Sequence, residues 1–471
     1  MSKPPSSNKP SQKRERGHGR KRNKRQGEAV AHLPVLRPDA GGIDIGAEEL
    51  WVSVPEDRDE EPVRRFPSFT SGVKAMVEWL QQCRIRTVAL ESTGVLWITV
   101  FQMLVDAGLE VCLVNARHYQ NVPGKRTDVE DCQWLRFLHS VGLLRASFRP
   151  EQAVCAVRTL VRQREQLVQM RSQHIQHMQK ALDQMNLKLH YVLSDIVGAS
   201  GQNIVQAILR GERDAGKLAE LRDRRVKATK EQICESLVGD YRGEHLFTLR
   251  QSFELYQEYS RRMEDVDAEI ETYAAKLETK LELSGAPQTE RKKARKCKPE
   301  RRHLAQMRVL CRQKFGVDVC RIPGMQRGGI AEILLAETGP DLSAFGSASA
   351  FGAWQGLAPN HEISGGKILS RKTRKMKHPV AGAFRLAAQS LQHSESYLGR
   401  HYRSLKGRLG APKAITAAAH KLARIFWYLV THQVEYDESV FAKHEQHNRE
   451  RMRKHLEKQA AQLGLKLVAA A

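Results

Sequence analysis

Between Val154 and Leu189 apolar residues recur at alternating intervals of three and four: Val154, Val157, Val161, Val168, Ile175, Met178, Leu182, Met185 and Leu189. Arg164 and Arg171 hold the two remaining seam positions. Tyr256, Tyr259, Met263, Val266, Ile270, Tyr273 and Leu277 repeat the spacing. A heptad stripe this long predicts coiled-coil helices, each burying one seam against another helix. The two runs flank a helical stretch at about 190–250, so residues 151–286 read as coiled coil plus helical insert. The runs would pair antiparallel within one chain or pair between subunits. Either way the expected role is structural or oligomerising.

The segment before this stripe has a different period. Residues 40–150 carry short apolar runs at 41–46, Leu50–Val54, Val63–Phe66, Thr87–Glu91 and Glu110–Asn115, which read as strands. Helical stretches intervene: one from a Thr70 or Ser71 cap to about Cys83, then Leu96–Ala107 and Thr127–Val141. Three strands, helix, strand, helix, strand, helix is the order of an RNase H-like α/β domain. The expected fold class is therefore α/β plus all-α.

The 471 residues include 77 Lys and Arg against 53 Asp and Glu, a formal charge of +24. Such an excess predicts a polyanionic partner, with nucleic acid the first candidate. No apolar run approaches the ~18 residues of a membrane span, and the polar N-terminus argues against a signal peptide. The eight cysteines form no CxxC pair, so they read as reduced thiols in a cytoplasmic protein, with no zinc site. The positive charge is concentrated in patches. Met1–Gly27 holds ten Lys/Arg and one acid, Glu15, so residues 1–39 are expected to be a disordered basic arm. Arg291–Lys314 holds eleven and one acid, Glu300. Residues 287–314 therefore read as a basic linker touching nucleic acid. A compact Gly- and Ala-rich helical domain is expected over 315–432, and a charged helical tail over 433–471.

Four acids of the first domain stand where chemistry would use them. Asp44 interrupts an apolar strand, and a carboxylate there is costly to bury without a metal or hydrogen bonds. Glu91 ends an apolar strand, where α/β sheets place ligands. Asp128 and Asp131 lie three apart on a helix and share a face, although acids after Thr127 also suit a helix N-terminus. Converging carboxylates repel unless divalent cations lie between them, and Mg²⁺ suits all-oxygen ligands. Two such ions about 4 Å apart would clamp the attacking and leaving oxygens of a phosphodiester.

A second constellation lies in the last domain. Ser364 precedes Gly365 and Gly366, and Lys367, Arg371, Lys372, Arg374, Lys375 and Lys377 place six cations in eleven positions. Glycines let a phosphate approach the backbone, and the cations suit a sugar-phosphate chain. A serine hydroxyl is a weak nucleophile and needs a base, a metal or a strong field. His361 is a candidate helper for it. The other reading of Ser364 is a turn residue, and of His361 a solvated loop histidine. Ile322-Pro323-Gly324-Met325 reads as a turn between helices that would offer backbone amides to phosphate. No GxxxxGK[ST] is present, so no ATP site is expected.

Several motifs together resemble one family. They are Gly42-Ile43-Asp44-Ile45-Gly46, Ala89-Leu90-Glu91-Ser92-Thr93-Gly94, Lys125-Arg126-Thr127-Asp128-Val129-Glu130-Asp131, Ile322-Pro323-Gly324, Gly356-Leu357-Ala358-Pro359 and Ser364-Gly365-Gly366-Lys367. Over about residues 40–432 the chain resembles the DEDD-type transposases of insertion sequences, the IS110 family, also described as bridge-RNA-guided recombinases. The resemblance implies a RuvC-like domain in which Asp44, Glu91, Asp128 and Asp131 hold Mg²⁺, two ions in all. It implies a C-terminal transposase domain whose Ser364 attacks DNA. It also implies a homo-oligomer, dimer or tetramer, assembled through the coiled coil, with the two halves of the active site meeting between subunits. Donor and target DNA would be chosen by a structured guide RNA, in a cytoplasmic, nucleoid-associated setting. The resulting expectation is a site-specific DNA recombinase that mobilises an insertion sequence by Mg²⁺-assisted, serine-mediated strand exchange. Lys367, Arg371, Lys372 and Arg374 would contact the backbone. Two alternatives stay open: a RuvC-type junction nuclease using metal-activated water, and a non-catalytic nucleic-acid-binding scaffold.

Overall fold

The computed structural model describes residues 33–92, 94–115, 128–282, 299–326, 329–462 and 464–465. Most of the expected arm (1–32), the motif residues Thr93 and Lys125-Arg126-Thr127, and residues 283–298 of the expected linker lie outside that set. The chain divides into two compact units, Met1–Arg149 and Pro150–Ala471.

The first unit is built on one mixed sheet. Its strands are β1 (Ala40–Ile45), β2 (Glu49–Ser53), β3 (Val63–Pro67), β4 (Thr87–Glu91) and β5 (Glu110–Val114), in the order β3-β2-β1-β4-β5. β1, β2 and β3 form an antiparallel meander, while β4 pairs parallel with β1 and with β5. Helices α1 (Thr70–Gln82), α2 (Trp97–Asp106) and α3 (Asp128–Ser140) complete it. One face of the sheet buries Ile43, Ile45, Leu50, Val52 and Leu90 under Val73, Met76 and Leu80 of α1 and Val100 and Leu104 of α2. The topology is compatible with an RNase H-like fold. α1 begins without the expected Thr70 or Ser71 cap. Phe69 is the N-cap and no side chain bonds there; at Gly72 the helix comes close to Pro67, whose carbonyl oxygen would lie 2.1 Å from a Cβ. Residues 33–39 belong to this unit as well: Leu36 and Arg37 donate backbone N–H bonds to the Ser140 carbonyl.

The second unit is helical apart from one hairpin. Its first helix, α4 (Gln152–Gln184), precedes a four-helix insert: α5 (Leu189–Val192), α6 (Ala199–Leu209), α7 (Ala215–Glu220) and α8 (Lys230–Ser236). The chain returns through α9 (Gly243–Ala275). Arg164 pairs with Asp267, and His174 stacks on Tyr259 at 5.4 Å, so the partner number falls as the α4 number rises. The long helices are therefore antiparallel within one chain, and their seam buries Val154, Val157, Val161, Met178, Leu182, Met263 and Ile270. Leu167 rather than Val168 is the deeply buried residue at that turn. The insert has its own core, in which Leu189, Ile204, Ile208, Leu218, Ile233 and Leu237 pack on Met185, Leu249 and Phe253.

Part of the expected basic linker is not a linker. Pro299–Phe315 is a helix, α10, with His303, Met307, Cys311 and Phe315 buried. Its charge density hides a stripe at four-residue spacing, while Arg301, Arg302 and Arg308 face outward. One of its cations is buried as well. Lys314 donates to the carbonyls of Ala275 (2.8 Å) and Leu277 (2.5 Å) and to Thr279 Oγ1 (2.8 Å). It thus satisfies carbonyls that the end of α9 leaves open.

The remaining elements are α11 (Ile330–Thr338), α12 (Ala348–Trp354), β6 (Glu362–Ser364), β7 (Lys367–Ser370), α13 (Pro379–Ser390), α14 (Tyr397–Leu409), α15 (Ala411–His432) and α16 (Ala442–Gln462). Buried alanines on α13 (Ala381, Ala383, Ala387, Ala388) and α15 (Ala414, Ala418, Ala419, Ala423) let these helices approach around Phe315, Phe351, Phe384 and Phe426. Each such ring contributes about 1.5–3 kcal/mol by burial. The Pro323-Gly324 turn serves this packing. Gly324 has φ +91°, and a Cβ there would stand 2.5 Å from the Ala387 carbonyl oxygen. That face of the turn meets α13, which counters its reading as a phosphate cradle.

Candidate active site and nucleic-acid interface

In the first unit, Ile43 of β1 lies beside Leu90 of β4 in parallel register. Asp44 and Glu91 are the next residues along, so the two carboxylates stand on neighbouring strands. Side chains alternate along a strand, which puts Gly42 and Asp44 on the same face as Thr87, Ala89 and Glu91. That face is the one α3 covers. Thr87 Oγ1 and His139 Nε2 are hydrogen-bonded at 2.8 Å, and Arg136 Nε donates to Ser53 Oγ at 3.0 Å. The helix backbone lies against Gly42: a Cβ would fall 2.2 Å from the Cys132 carbonyl oxygen and 2.4 Å from the Arg136 nitrogen. His139 near the start of β4 and Cys132 near the end of β1 fix the direction of α3. Its first turns, carrying Asp128 and Asp131, therefore lie toward the strand ends that carry Asp44 and Glu91.

The electrostatics agree with this placement. The Cys132 thiol is pushed up to about 12, first by burial and next by the charge of Asp44. At the far end of α3, burial pushes His139 down to about 4, with nearby Arg37 adding to the effect. Asp44, Glu91 and Asp131 are half-buried, whereas Asp128 opens the helix and its side chain lies outside the described set. Among the described residues, no group of three or more His, Cys, Asp or Glu forms a set that could hold a metal ion. Asp44, Glu91 and Asp131 thus share one sheet end without closing into a three-ligand cage. As an all-oxygen donor set they suit a hard cation.

In the second unit, Ser364 ends β6 and Lys367 begins β7, directly opposite each other. Gly365 and Gly366 between them have φ +53° and +75°. This two-residue turn needs positive φ at both positions, which glycine supplies without strain. Cross-strand partners share a face, so the Ser364 hydroxyl and the Lys367 ammonium project side by side. Every residue from Pro359 to Leu369 is exposed, His361 among them, as are Arg371, Lys372, Arg374, Lys375 and Lys377. The hairpin is anchored at its root by the Asn360 N–H bond to the Lys372 carbonyl (2.9 Å) and a bridge between Pro359 and Thr373. Beneath that root, His378 packs edge-on against Trp354 at 4.3 Å, and its imidazole is pushed down to about 4, chiefly by burial. Gln355 nearby in sequence is fully buried, with neither amide atom hydrogen-bonded within the described structure.

Sequence reasoning missed a buried ionic cluster in the second unit. His303 of α10 is 2% exposed. Its Nδ1 meets Glu271 at 2.9 Å, and its Nε2 meets Glu332 at 3.3 Å and Asp267 at 3.5 Å. Arg164 completes the group through Asp267 at 2.5 Å. Burial opposes a charged imidazole, yet Glu332, Asp267 and Glu271 together hold its pKa above the ordinary value. Two signals in the sequence pointed here: an arginine in the heptad seam, and Glu332 inside the apolar run Ile330–Leu335.

A mixed sheet of this order with paired acids at its strand ends, in a chain bearing an exposed basic hairpin, is the architecture of a nucleic-acid-processing protein. A family model for transposases, the DEDD model of IS110, matches residues 41–187. A second model, for transposases of the IS116/IS110/IS902 family, matches residues 318–403. The chain therefore belongs to the IS110 family of transposases, DNA-processing enzymes. A comparison with curated proteins gives no match. The first matched region contains all four acids, and the second contains Ser364 and its cations. The insert, α9 and α10 lie outside both matches. No helix among the described residues is long and apolar enough to cross a membrane.

Proposed function

We propose that this transposase is a site-specific recombinase that exchanges DNA strands through a covalent serine intermediate. The observation that carries this reading is Ser364, at the tip of an exposed basic hairpin with Lys367 as its cross-strand neighbour. In the first half-reaction the Ser364 oxygen bonds to phosphorus, the serine proton leaves, and the phosphorus–oxygen bond to one deoxyribose breaks to give a free hydroxyl end. In the second, a hydroxyl end from another strand attacks the phosphoserine and releases Ser364. One phosphodiester is exchanged for another, so no nucleotide cofactor is consumed. Lys367, beside the hydroxyl, would offset charge on the phosphoryl oxygens, while Arg371, Lys372 and Arg374 would hold the backbone.

Asp44, Glu91, Asp128 and Asp131 would hold Mg²⁺, two ions, on the ground that a hard cation needs oxygen donors gathered at one sheet end. Bound there, Mg²⁺ would offset charge on the attacking and leaving oxygens. The carboxylates' own task is to stay fixed in place, which α3 packed on β1 supports. Guidance by a structured RNA fits a protein whose exposed cations grip backbones and whose sequence choice rests on base pairing. Assembly as a homo-oligomer, dimer or tetramer, would employ the long helices, and the expected setting is cytoplasmic and nucleoid-associated.

The test is a Ser364→Ala protein given DNA in Mg²⁺. Loss of both cutting and a trapped protein–DNA adduct supports the serine route. Retained cutting without an adduct supports a metal-dependent junction nuclease, a reading favoured by the pairing of Asp44 with Glu91. Absence of any Mg²⁺-dependent strand processing leaves only a binding scaffold. RNA recovered with the full chain tests guidance: one defined transcript is expected, and sequence-diverse RNA overturns it.

A further inference from the structure

The serine hairpin has a second face. Ile363 and Ile368 are cross-strand partners one step in from Ser364 and Lys367, so they project from the opposite side of the ribbon. Ile363 is 63% exposed and Ile368 43%, and Leu369, in the irregularity between the pairs Ile363–Ile368 and Glu362–Ser370, is 71% exposed. Three large apolar side chains held in water on a two-stranded ribbon are unfavourable unless something covers them. Among the described residues, no other strand pairs with either edge of this ribbon.

We infer that this apolar face packs on nucleic-acid bases, with the hairpin entering as a wedge that unstacks or parts them while Ser364 and Lys367 face the backbone. Charge argues for this occupant over a protein surface. Lys367, Arg371, Lys372, Arg374, Lys375 and Lys377 are all exposed around the same ribbon, and no acid lies between Ile363 and Ser394. A nucleic-acid strand offers both matching chemistries within each nucleotide, an apolar base plane and an anionic phosphate. Apolar wedges on basic ribbons unstack base steps in just this way, trading stacking energy for a deformed duplex that meets more protein. The wedge would open the helix beside the phosphate that Ser364 faces, giving the hydroxyl room to attack in line. The inference rests on nucleic-acid binding by the hairpin as proposed above, and it does not require the serine chemistry.

The experiment uses the full chain and short duplexes of mixed sequence carrying 2-aminopurine at successive positions. Unstacking relieves the quenching of that base, so wild-type protein at saturation is expected to raise its fluorescence several-fold. The variant I363S/I368S/L369S changes only exposed side chains. It should keep the wild-type melting temperature and bind with the same salt slope, yet give no rise. K367Q and R371Q should instead lower the slope of log affinity against log salt by about one per cation removed. Wild-type binding without a fluorescence rise overturns the wedge while leaving the proposed function intact. Absence of any duplex binding overturns both. A triple variant that still unstacks the probe, or that sediments as a smaller species than wild type without DNA, overturns the wedge and makes the face a protein–protein contact.

Discussion

The four acids and the serine belong to regions that solve opposite problems. Asp44 and Glu91 sit on the central strands of a sheet, half-buried, with their positions set by register and by a helix packed to atomic contact at Gly42. Ser364 sits on a ribbon with no buried residue, held at its root by one backbone hydrogen bond and one bridge. Carboxylates that gather a cation must be preorganised, because their mutual repulsion has to be overcome by the fold. On the proposed function, a hydroxyl that must reach a bulky substrate gains from projection. Rigid acids and a projecting hydroxyl are thus complementary solutions within one chain.

The largest effects should come from the chemistry. Asp44→Asn and Ser364→Ala are each expected to lower strand exchange by about 10⁴-fold or more, and both proteins should fold. Ser364→Ala should abolish the covalent adduct outright, whereas Asp44→Asn should slow its formation without removing the nucleophile. Equal adduct yield from both variants would remove the division of labour between the two regions.

The next effect concerns the ionic cluster that joins α4, α9, α10 and α11. His303→Gln strands Asp267 and Glu332 and should cost about 3–5 kcal/mol, read from urea unfolding of the full chain. The sign of the pH dependence follows from the raised folded pKa of His303. Its stabilisation is present below the unfolded value of about 6.5 and is lost as pH rises through the folded value. Wild-type stability should therefore contain a component that falls over that interval and is missing from His303→Gln. An identical profile in the two proteins would show that the imidazole is neutral in the fold.

Gly42→Ala tests the rigidity of the acidic region. The new methyl group meets backbone atoms of α3, so a stability loss of about 3 kcal/mol is expected, with strand exchange falling as Asp131 moves away from Asp44. Gly365→Ala meets no neighbour, although its positive φ imposes a small strain. It should leave melting of the protein almost unchanged, and comparable losses from both substitutions would erase the contrast between core and ribbon. The smallest effect is expected at Gln355, whose buried amide has no hydrogen-bond partner among the described residues. Gln355→Met removes those orphaned groups at similar volume and should raise stability by about 1 kcal/mol, read as a higher urea midpoint.

Much of this was legible in the residues. Strand ends, the three-and-four stripe and the Gly-Gly turn follow from local rules, so the elements of the first unit fall within a residue or two of their expected places. Asp44 stood out because a lone acid in an apolar strand has few structural uses. In Pro299–Phe315 the density of charge masks the four-residue recurrence of His303, Met307, Cys311 and Phe315, which the fold buries as a helix face. The phosphate-cradle reading of Pro323-Gly324 was not sustained because the same glycine that admits a phosphate also admits a helix. The ionic cluster was hidden for a different reason: its members come from residues 164, 267, 271, 303 and 332, and no local window contains them.

The two periodicities, the acids' places on their strands and the turn that exposes Ser364 are written in the chain, because each depends on neighbours within a few residues. Folding alone makes Asp44 and Glu91 adjacent, pairs α4 with α9 within one chain and sets Ile363 and Ile368 behind the serine. Those facts are cross-strand and cross-helix registers. Register is a choice among distant segments, made by the packing of whole faces rather than by the preference of any single residue.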